Sequence, residues 1–537
     1  MPEAPSQSRV LARPAATMAR VLARPQWLAL PLGLLLAQSF GRQHAAGLAV
    51  IALAAFAALL WHTHVESAAA RARRGAWLGL AFGMGWFAGG IWWLYISMAV
   101  YGGMPSLLAG AAVALFSLYL ALYPALACAL AAALAPPTGR APWPLARGLG
   151  AAASLAGALT LAELLRGTVF TGFPWLALGY SQVGGPLAGM APLLGTYGVG
   201  FVAVLAAALL ALPTQLNLRG SMLAVALLAL LAVGTSRVGM LRWTHAQGMP
   251  LRVALLQGDI AQSEKFRPEN LTPTVQLYDS WLRHVHADLI VTPETALPVL
   301  PQDLPQGFLQ GLQRDLRGRG TRALVGIPLT RGADNYTNSV IGLGAAQPYR
   351  YDKAHLVPFG EFIPYGFHWF VRLMNMPLGD FARGRLDQPS FDVHGRRVAP
   401  TICYEDLFGE QLAQRFRDPA TAPNVIANLT NLAWFGDTVA LPQHLQIARM
   451  RSLEFQLPSI RATNTGVTAI IDAHGRVTGQ LPPYMAGVLL GNVQPAAGMT
   501  PYAWLASHLG YAPVILLGLL ALLLGAALAR VLPTIRA

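Results

Sequence analysis

The sequence predicts a polytopic α-helical membrane domain joined to an α/β domain. Hydrophobic residues make up 54% of the 537 residues and charged residues only 12%, which is too apolar for a soluble chain of this length. Residues 250–500 differ from the rest, because they hold 21 of the 24 acidic residues and alternate short β-branched runs with helical periodicity. One chain is therefore expected to combine a membrane part with a folded block outside the bilayer.

Eight apolar runs lack Asp, Glu, Lys and Arg, and seven of them precede residue 250. They cover residues 27–40, 45–61, 76–101, 104–135, 148–162, 193–213, 220–236 and 511–529. A helix needs about 20 residues to cross the hydrocarbon of a bilayer, so the first, second and fifth runs are expected to be tilted, interfacial or extended by their flanks. We expect about eight transmembrane helices, and we expect the first to remain as a helix rather than to be cleaved as a signal peptide.

Arginines mark one side of the expected membrane domain. They precede the first run, follow the eighth, and lie between the second and third, the fourth and fifth, and the sixth and seventh runs. By the positive-inside rule both termini are cytoplasmic and residues 250–500 lie on the outer side, the periplasm of a bacterium with two membranes. The net charge of +14 lies in these short connections rather than on one folded face, so no nucleic-acid partner is expected.

Three domains follow from these patterns: residues 1–245 with about seven helices, residues 250–495 as the α/β block, and residues 505–537 as a last transmembrane helix with a short cytoplasmic tail. Strands are predicted in LRVALLQGDI, DLIVTPETALP, RALVGIPL, TNSVIGL, RRVAPTICYE and NVIANLT. Helices are predicted in TPTVQLYDSWLRHVH, DLPQGFLQGLQRDLRG and residues 441–455. Within the membrane domain, Glu163 and Arg166 are costly if they face lipid, so we expect them to pair or to face the α/β block.

Three side chains that could carry chemistry each follow the end of an apolar strand. They are Glu294 in LIVTPETALP, Lys353 in YRYDKAHLVPFGEFIP and Cys403 in TICYED. Each has an ordinary explanation when taken alone: a charge at a helix start, a surface lysine, and a buried structural cysteine. The lysine is unusual, however, because arginine fills 36 of the 38 basic positions and leaves only Lys265 and Lys353. A position that keeps lysine favours a compact cation on a flexible stem.

Glu, Lys and Cys in this order, each after a strand, resemble the nitrilase superfamily of carbon-nitrogen hydrolases. Within it, PETALP, KAHLVPFGEFIP, CYED, NLTNLAWFGDT and HLQIARMRSLEFQLPSIRATNTG resemble the apolipoprotein N-acyltransferases, as does the placement of seven helices before the block and one after it. The resemblance implies an αββα sandwich for the α/β block. It also implies a triad of Cys403 as nucleophile, Glu294 as general base and Lys353 as cationic stabiliser.

The resemblance implies supporting residues as well. Supporting or substrate-binding roles are expected for Glu361, Glu405, Tyr404, Asn431, Trp434 and Phe435. Structural ion pairing is the alternative for the two carboxylates, and core packing is the alternative for the aromatic residues. Two positions depart from the family: Thr292 stands where Trp is common, and Leu432 stands where many members carry Asp near Trp434. Neither departure touches the triad.

The chemistry implied is a ping-pong acyl transfer. A phospholipid gives an acyl chain to the cysteine as a thioester, and the α-amine of the diacylglyceryl-cysteine of an apolipoprotein then takes it, which completes lipoprotein maturation. A thiol that attacks an ester needs a base for its proton and a positive donor for the oxyanion. No cofactor is expected, and no metal, because the histidines lack ligand spacing. We expect the chain to act as a monomer.

The residues after the nucleophile raise a problem of electrostatics. Glu405 and Asp406 follow Cys403 within three positions, and nearby carboxylates raise the pKa of a thiol. We expect Lys353 to offset this effect in part, provided that the turn after the strand directs both acids away from the sulfur.

Two other functions are compatible with parts of the pattern. A membrane-tethered nitrilase or amidase would pass the acyl group to water instead of a lipopeptide amine. A transporter with an external binding domain would need paired, Gly/Pro-broken half-helices, which the sequence does not show. The acyltransferase accounts for the greatest length of the chain.

Overall fold

The computed structural model describes residues 26–62, 67–137, 142–332, 335–363 and 381–530. The arginine-rich first 25 residues and the expected cytoplasmic tail after residue 530 lie outside these ranges. The predictions for both termini therefore stay predictions.

All eight apolar runs form helices. Those of the first part are α1 (Gln26–Ala37), α2 (Ala46–Trp61), α3 (Ala68–Ile91), α4 (Ser106–Leu134), α5 (Leu145–Arg166), α6 (Ala191–Ala211) and α7 (Leu218–Val238). The fifth run is extended by its flanks, as expected, to the 22 residues of α5. The third run differs from a single span, because α3 ends at Ile91 and a second segment, Leu94–Tyr101, continues at an angle of 58°.

Length and composition identify the helices that could cross a membrane. Among the described residues, five helices are long and apolar enough to cross a membrane, or six if the bent pair counts as one span. The helices α1 and α2 have only 12 and 16 residues. The expected total of about eight thus stays a prediction, whereas a helical membrane domain is clear.

Small residues let the first membrane helices approach closely. Gly79 and Gly83 of α3 face α4, where an added Cβ would meet the backbone at Pro124 and Ala121. Gly85, on another side of α3, approaches the carbonyl of Leu30 in α1. Such small-residue contacts are common between membrane helices, because lipid is as apolar as the helices and close packing must hold them together.

Residues 244–509 form the α/β part. Its strands are β1 (Thr244–Ala246), β2 (Leu251–Gln257), β3 (Leu289–Val291), β4 (Arg322–Thr330), β5 (Tyr336–Leu343), β6 (Tyr349–Asp352), β7 (Phe391–Val393), β8 (Arg396–Ile402), β9 (Val425–Thr430), β10 (Ser459–Thr463), β11 (Ala469–Ile471), β12 (Val477–Gln480), β13 (Gly487–Val493) and β14 (Ala496–Gly498). The helices are α8 (Pro268–His284), α9 (Phe308–Gly318), α10 (Ala440–Phe455) and α11 (Pro501–Leu509), followed by α12 (Ala512–Arg530). All six predicted strands and all three predicted helices of this block are present.

Two six-stranded sheets face each other. Their strand orders are β13-β2-β3-β4-β5-β6 and β12-β11-β10-β9-β8-β7. Apolar side chains from both sheets, among them Leu255, Val291, Ile402 and Leu429, fill the space between them. Leu282 of α8 and Leu316 of α9 pack on the outer face of the first sheet. Since α10 covers the second sheet, the predicted αββα sandwich is confirmed.

The helix α10 also docks the sandwich onto the membrane domain. Ile447 and Met450 share a core cluster with residues of the membrane helices. The side-chain oxygen of Gln443 accepts hydrogen bonds from the indole N–H groups of Trp93 (3.1 Å) and Trp175 (2.8 Å). The two parts of the chain are therefore joined by a buried, specific interface and not only by connecting strands.

A buried ion pair strengthens this interface. Arg451 and Glu454, one turn apart on α10, lie 3.0 Å apart with almost no exposed surface. Glu454 accepts hydrogen bonds from the backbone N–H and the hydroxyl of Thr196 in α6, both at 2.7 Å. The expected pairing of Glu163 with Arg166 is confirmed as well, at 3.2 Å. Polar groups placed in apolar surroundings are thus matched with partners.

We predict that Arg451→Met destabilises the protein, because it leaves Glu454 buried without its countercharge, at a cost of about 3–5 kcal/mol. Thermal unfolding of the purified protein in detergent measures the effect. The double variant Arg451→Met/Glu454→Met should recover part of the loss, since no unpaired charge remains. Arg252→Met, which breaks a solvent-exposed pair with Asp288, serves as the control. An Arg451→Met midpoint equal to the control's would contradict the prediction.

Candidate active site

The ends of three strands bring the predicted triad together. Glu294 lies in the loop after β3 and Lys353 directly follows β6, both in the first sheet, while Cys403 follows β8 in the facing sheet. The Nζ atom of Lys353 lies 3.3 Å from Oε1 of Glu294. The charges of both groups act on the thiol of Cys403. The sandwich thus places a carboxylate, an ammonium and a thiol at one edge.

Lys353 is buried between two carboxylates. Its side chain is 1% exposed, and its Nζ donates to Glu361 at 2.8 Å as well as to Glu294. Burial opposes the charge of Lys353, but Glu361 and Glu294 outweigh burial and raise its pKa above the ordinary value. Lys353 is therefore a permanent cation at neutral pH, and Glu361 lies where it orients that cation.

Asn338 in β5 is a site residue that the sequence analysis missed. Its Nδ2 donates to Oε1 of Glu294 at 2.7 Å and to Oε1 of Glu361 at 2.8 Å. Its main-chain carbonyl also accepts the backbone N–H of Lys353 at 2.8 Å. An asparagine inside the predicted strand TNSVIGL was the available signal, since a polar side chain in a buried strand needs partners.

The loop that carries Glu294 lies directly on β4. A Cβ at Gly326 would collide with the carbonyl of Pro293, so glycine is required for this close approach. The hydroxyl of Thr292 accepts the backbone N–H of Gly326 at 3.0 Å. Thr292, one of the two departures from the family pattern, is fully buried. Its hydrogen bond to Gly326 fixes the loop to the sheet. On the far side, Oε2 of Glu294 accepts the backbone N–H of Asn431 at 2.9 Å.

Cys403 occupies a strained position at the turn. Its φ is +52°, and it begins a tight helical turn, Cys403–Leu407, directly after β8. A non-glycine residue in this left-handed region costs about 1–3 kcal/mol and is characteristic of functional sites. The turn leaves Cys403 partly exposed, whereas Cys128, the other cysteine, is buried in α4.

The thiol is protonated at rest. Burial is the main cause that raises the pKa of Cys403 to about 12, Glu294 raises it further, and Lys353 opposes both. The expectation that Lys353 offsets the neighbouring carboxylates therefore holds only in direction, because a low-dielectric site penalises the thiolate more than one ammonium favours it. A thiol of this kind needs a base that removes its proton during attack.

The two acids after Cys403 are directed into hydrogen bonds, as the sequence analysis required. Glu405 accepts the backbone N–H of Ala354 at 2.6 Å through one oxygen, and through the other the backbone N–H of Ile402 at 2.7 Å and the Tyr351 hydroxyl at 2.8 Å. Asp406 accepts the Thr401 hydroxyl at 2.9 Å. Glu405 thus ties the end of β6 to the turn that carries the thiol.

The remaining candidates lie between the sandwich and the membrane helices. The hydroxyl of Tyr404 donates to the carbonyl of Gly172 at 3.0 Å. The ring of Phe435 packs against Trp93 with centroids 4.4 Å apart. Trp434 is 40% exposed, and its ring lies 6.1 Å from that of Tyr101 at the end of the bent segment.

Asn431 contributes its side chain as well as its backbone. Its Nδ2 donates to the side-chain oxygen of Gln262 at 2.8 Å, and its own side-chain oxygen accepts from Nδ2 of Asn464 at 3.1 Å. Leu432, the second departure from the family pattern, is fully buried. The roles of Asn431, Trp434 and Phe435 toward a substrate stay predictions.

Comparisons with known proteins place both parts of the chain among described families. A family model described as the apolipoprotein N-acyltransferase N-terminal domain matches residues 32–209, and one described as carbon-nitrogen hydrolase matches residues 252–501. An apolipoprotein N-acyltransferase of Ralstonia nicotianae is 46% identical over 510 residues, which cover 94% of this chain and 93% of that protein. One of Bordetella bronchiseptica is 43% identical and covers 90% and 91%. A crystallised amidase from Nesterenkonia sp. is 18% identical, covers 49% of this chain and 94% of its own, and has a TM-score of 0.34.

We predict that Glu294→Gln lowers the pKa of Cys403, because it removes a negative charge that raises that pKa. The pH dependence of iodoacetamide alkylation, in a Cys128→Ala background with one thiol, measures the shift. Asp406→Asn is the matched control: it removes a carboxylate nearer in sequence but engaged by Thr401. A larger shift in the control than in Glu294→Gln would contradict this account of the site.

Proposed function

Since the chain belongs to the apolipoprotein N-acyltransferase family and acylates the N-termini of lipoproteins, we propose that Cys403, Glu294 and Lys353 perform the transfer. The observation that carries this proposal is the placement of a carboxylate and a buried ammonium, 3.3 Å apart, beside a protonated thiol on a strained turn. Each group matches one requirement of acyl transfer: a nucleophile, a base for its proton, and a fixed positive charge for the oxyanion.

In the first half-reaction, the sulfur of Cys403 attacks the ester carbonyl carbon of a phospholipid while Glu294 takes the thiol proton. The negative charge passes to the carbonyl oxygen, near the ammonium of Lys353, which cannot lose its proton at neutral pH. As the intermediate collapses, the carbon–oxygen bond breaks and the leaving alkoxide takes the proton from Glu294. The products are a lyso-phospholipid and a thioester on Cys403.

In the second half-reaction, the α-amine of a diacylglyceryl-cysteine attacks the thioester. The amine must be neutral, and a reference pKa near 8 makes this form accessible. Glu294 takes the proton that the amine loses on forming the amide, and the departing thiolate of Cys403 recovers it. The products are an N-acylated lipoprotein and the free enzyme, so the cycle is of the ping-pong type.

The donor and the acceptor are both lipids, and we propose that they reach Cys403 from the membrane domain. Tyr404, next to the nucleophile, contacts Gly172 of that domain, and Trp434 lies beside Tyr101. These contacts support Trp434, Phe435 and Tyr404 as residues near the acyl chain. We place the sandwich on the periplasmic face of a bacterial inner membrane from the arginine distribution. One chain supplies all the residues of the site, which favours a monomer as the working unit.

The proposal predicts a covalent intermediate. Incubation with phosphatidylethanolamine alone should add one acyl mass to the intact protein, and hydroxylamine should remove it, because thioesters are labile to that nucleophile. Intact-protein mass spectrometry measures both steps, and Cys403→Ala is the control that should stay unmodified. A diacylglyceryl lipopeptide should then discharge the acyl group as amide. Discharge to water at an equal rate would instead support the amidase alternative, and the absence of added mass would refute the mechanism.

We also predict that Lys353→Arg is nearly inactive although it keeps the positive charge. A planar guanidinium cannot occupy the enclosed position between Glu294 and Glu361 as a point charge does. The expected loss in the rate of thioester formation is about 10²–10³-fold, the effect of removing one oxyanion donor. Arg350→Lys, a swap on β6 at an exposed position, controls for the exchange of side-chain type. Turnover near the wild-type rate would show that net charge alone suffices.

A further inference from the structure

Both lysines of the chain are buried at the same site. Lys265, in the segment between β2 and α8, is 3% exposed. Its Nζ donates to the main-chain carbonyl of Glu294 at 3.0 Å. The mechanism above assigns no part to this second ammonium, although it contacts the residue that acts as the base.

The turn that carries Lys265 is joined to the active site through Gln262. The backbone N–H of Lys265 donates to the carbonyl of Ala261. Gln262 accepts from the side chain of Asn431 at 2.8 Å, and the backbone N–H of Asn431 in turn holds Oε2 of Glu294 at 2.9 Å. Lys265, Gln262, Asn431 and Glu294 thus form one hydrogen-bonded unit, in which the carboxylate and its own peptide are both held.

Lys265 and Lys353 are buried in different ways. Lys353 has two carboxylates within ion-pair distance. Among the described residues no carboxylate lies within ion-pair distance of the Lys265 ammonium, which donates to a neutral carbonyl, and the ring of Phe266 lies 5.9 Å away. Burying an ammonium beyond ion-pair distance of any carboxylate costs several kcal/mol, and a methionine of similar volume would fill the space without that penalty. A charge kept at this position is best explained by function.

We propose that Lys265 is a positioning residue of the acyl transfer: its ammonium holds the peptide of Glu294, and its positive charge stabilises the negative charge that develops on the sulfur of Cys403 as the thiol proton leaves. This inference rests on the proposed function of the triad. In the covalent step the thiol proton goes to Glu294 as the carbon–sulfur bond forms, and the ester carbon–oxygen bond then breaks as the leaving alkoxide takes that proton. Lys265 supplies no proton and takes none.

Because this role needs a charged Lys265, it predicts how the rate of thioester formation depends on pH. Burial is the main cause that lowers the pKa of Lys265 to about 8, while Glu294 and Cys403 oppose that effect. Within the described ranges, these two are the titratable groups that act on Lys265, one on the loop after β3 and one on the turn after β8. Because the charged form is the active one, thioester formation should slow as the pH rises through about 8.

Single-turnover thioester formation from phosphatidylethanolamine tests the inference, measured from pH 6 to 10 by intact-protein mass spectrometry. Without lipopeptide, the acceptor amine cannot contribute its own titration. In the wild type, the rate should fall above about pH 8. Lys265→Met should be slower by about 10–100-fold at pH 7, as expected for a displaced base, and should lack the alkaline fall. Lys265→Arg stays charged over this range, so it should be faster than Lys265→Met. Its rate relative to wild type should also be higher at pH 9 than at pH 7.

Arg267→Met is the matched control, since it removes one positive charge from the same segment at a side chain that is 55% exposed; its rate and pH profile should equal those of the wild type. A wild-type profile without an alkaline fall, or a Lys265→Met rate within twofold of wild type, would overturn the inference. If Lys265→Met fails to fold in a thermal-unfolding assay, the wild-type and Lys265→Arg profiles decide. A wild type that forms no thioester would refute the proposed function instead.

Discussion

The buried contact between Lys353 and its two carboxylates sets the electrostatics of the whole site. One ammonium lies within 3.3 Å of Glu294 and 2.8 Å of Glu361, so the group carries a net negative charge. This net charge adds to burial, which is the main cause that raises the pKa of the Cys403 thiol beside a permanent cation. It also explains the amide donors around the site, since a buried carboxylate needs hydrogen bonds at every oxygen that water cannot reach. Burial and the two carboxylates therefore both favour the thiol form of Cys403.

The same site depends on the membrane domain. Residues 172–177, whose Gly172 carbonyl accepts from Tyr404, are not helical. A non-helical backbone is tolerated among membrane helices only where protein groups supply its hydrogen bonds. Arg166 meets this need, because its guanidinium donates to the carbonyls of Phe173 (2.5 Å) and Trp175 (2.7 Å) while it pairs with Glu163. Trp175 in turn reaches Gln443 of α10. The Glu163–Arg166 ion pair, which would be costly in lipid, thus stabilises the segment that the turn of Cys403 contacts through Tyr404.

How much the sequence could predict depends on the range of the interactions involved. Runs without charged residues located the membrane helices, and short β-branched runs located the central strands. These elements could be predicted because each one is buried through the apolar side chains of its own segment. The strand β10 (Ser459–Thr463) was missed, since it carries polar residues whose partners come from α10 and β2. The triad was predicted from its order and settings, whereas Asn338 and Lys265 were not. Their importance lies in contacts with Glu294 across 44 and 29 residues of sequence. The break after Ile91 likewise depends on packing that no local pattern specifies.

The hydrogen bonds that the carboxylate of Glu294 already accepts bear on how it can serve both proposed half-reactions. An ionised carboxylate offers about four lone-pair positions. Described donors occupy three of them: Asn338 and Lys353 bind Oε1, and the backbone N–H of Asn431 binds Oε2. One position on Oε2 therefore remains for a proton, first from the thiol and later from the attacking amine. In the proposed mechanism the thiol has lost its proton before the amine attacks, so this one position can serve the two steps in turn.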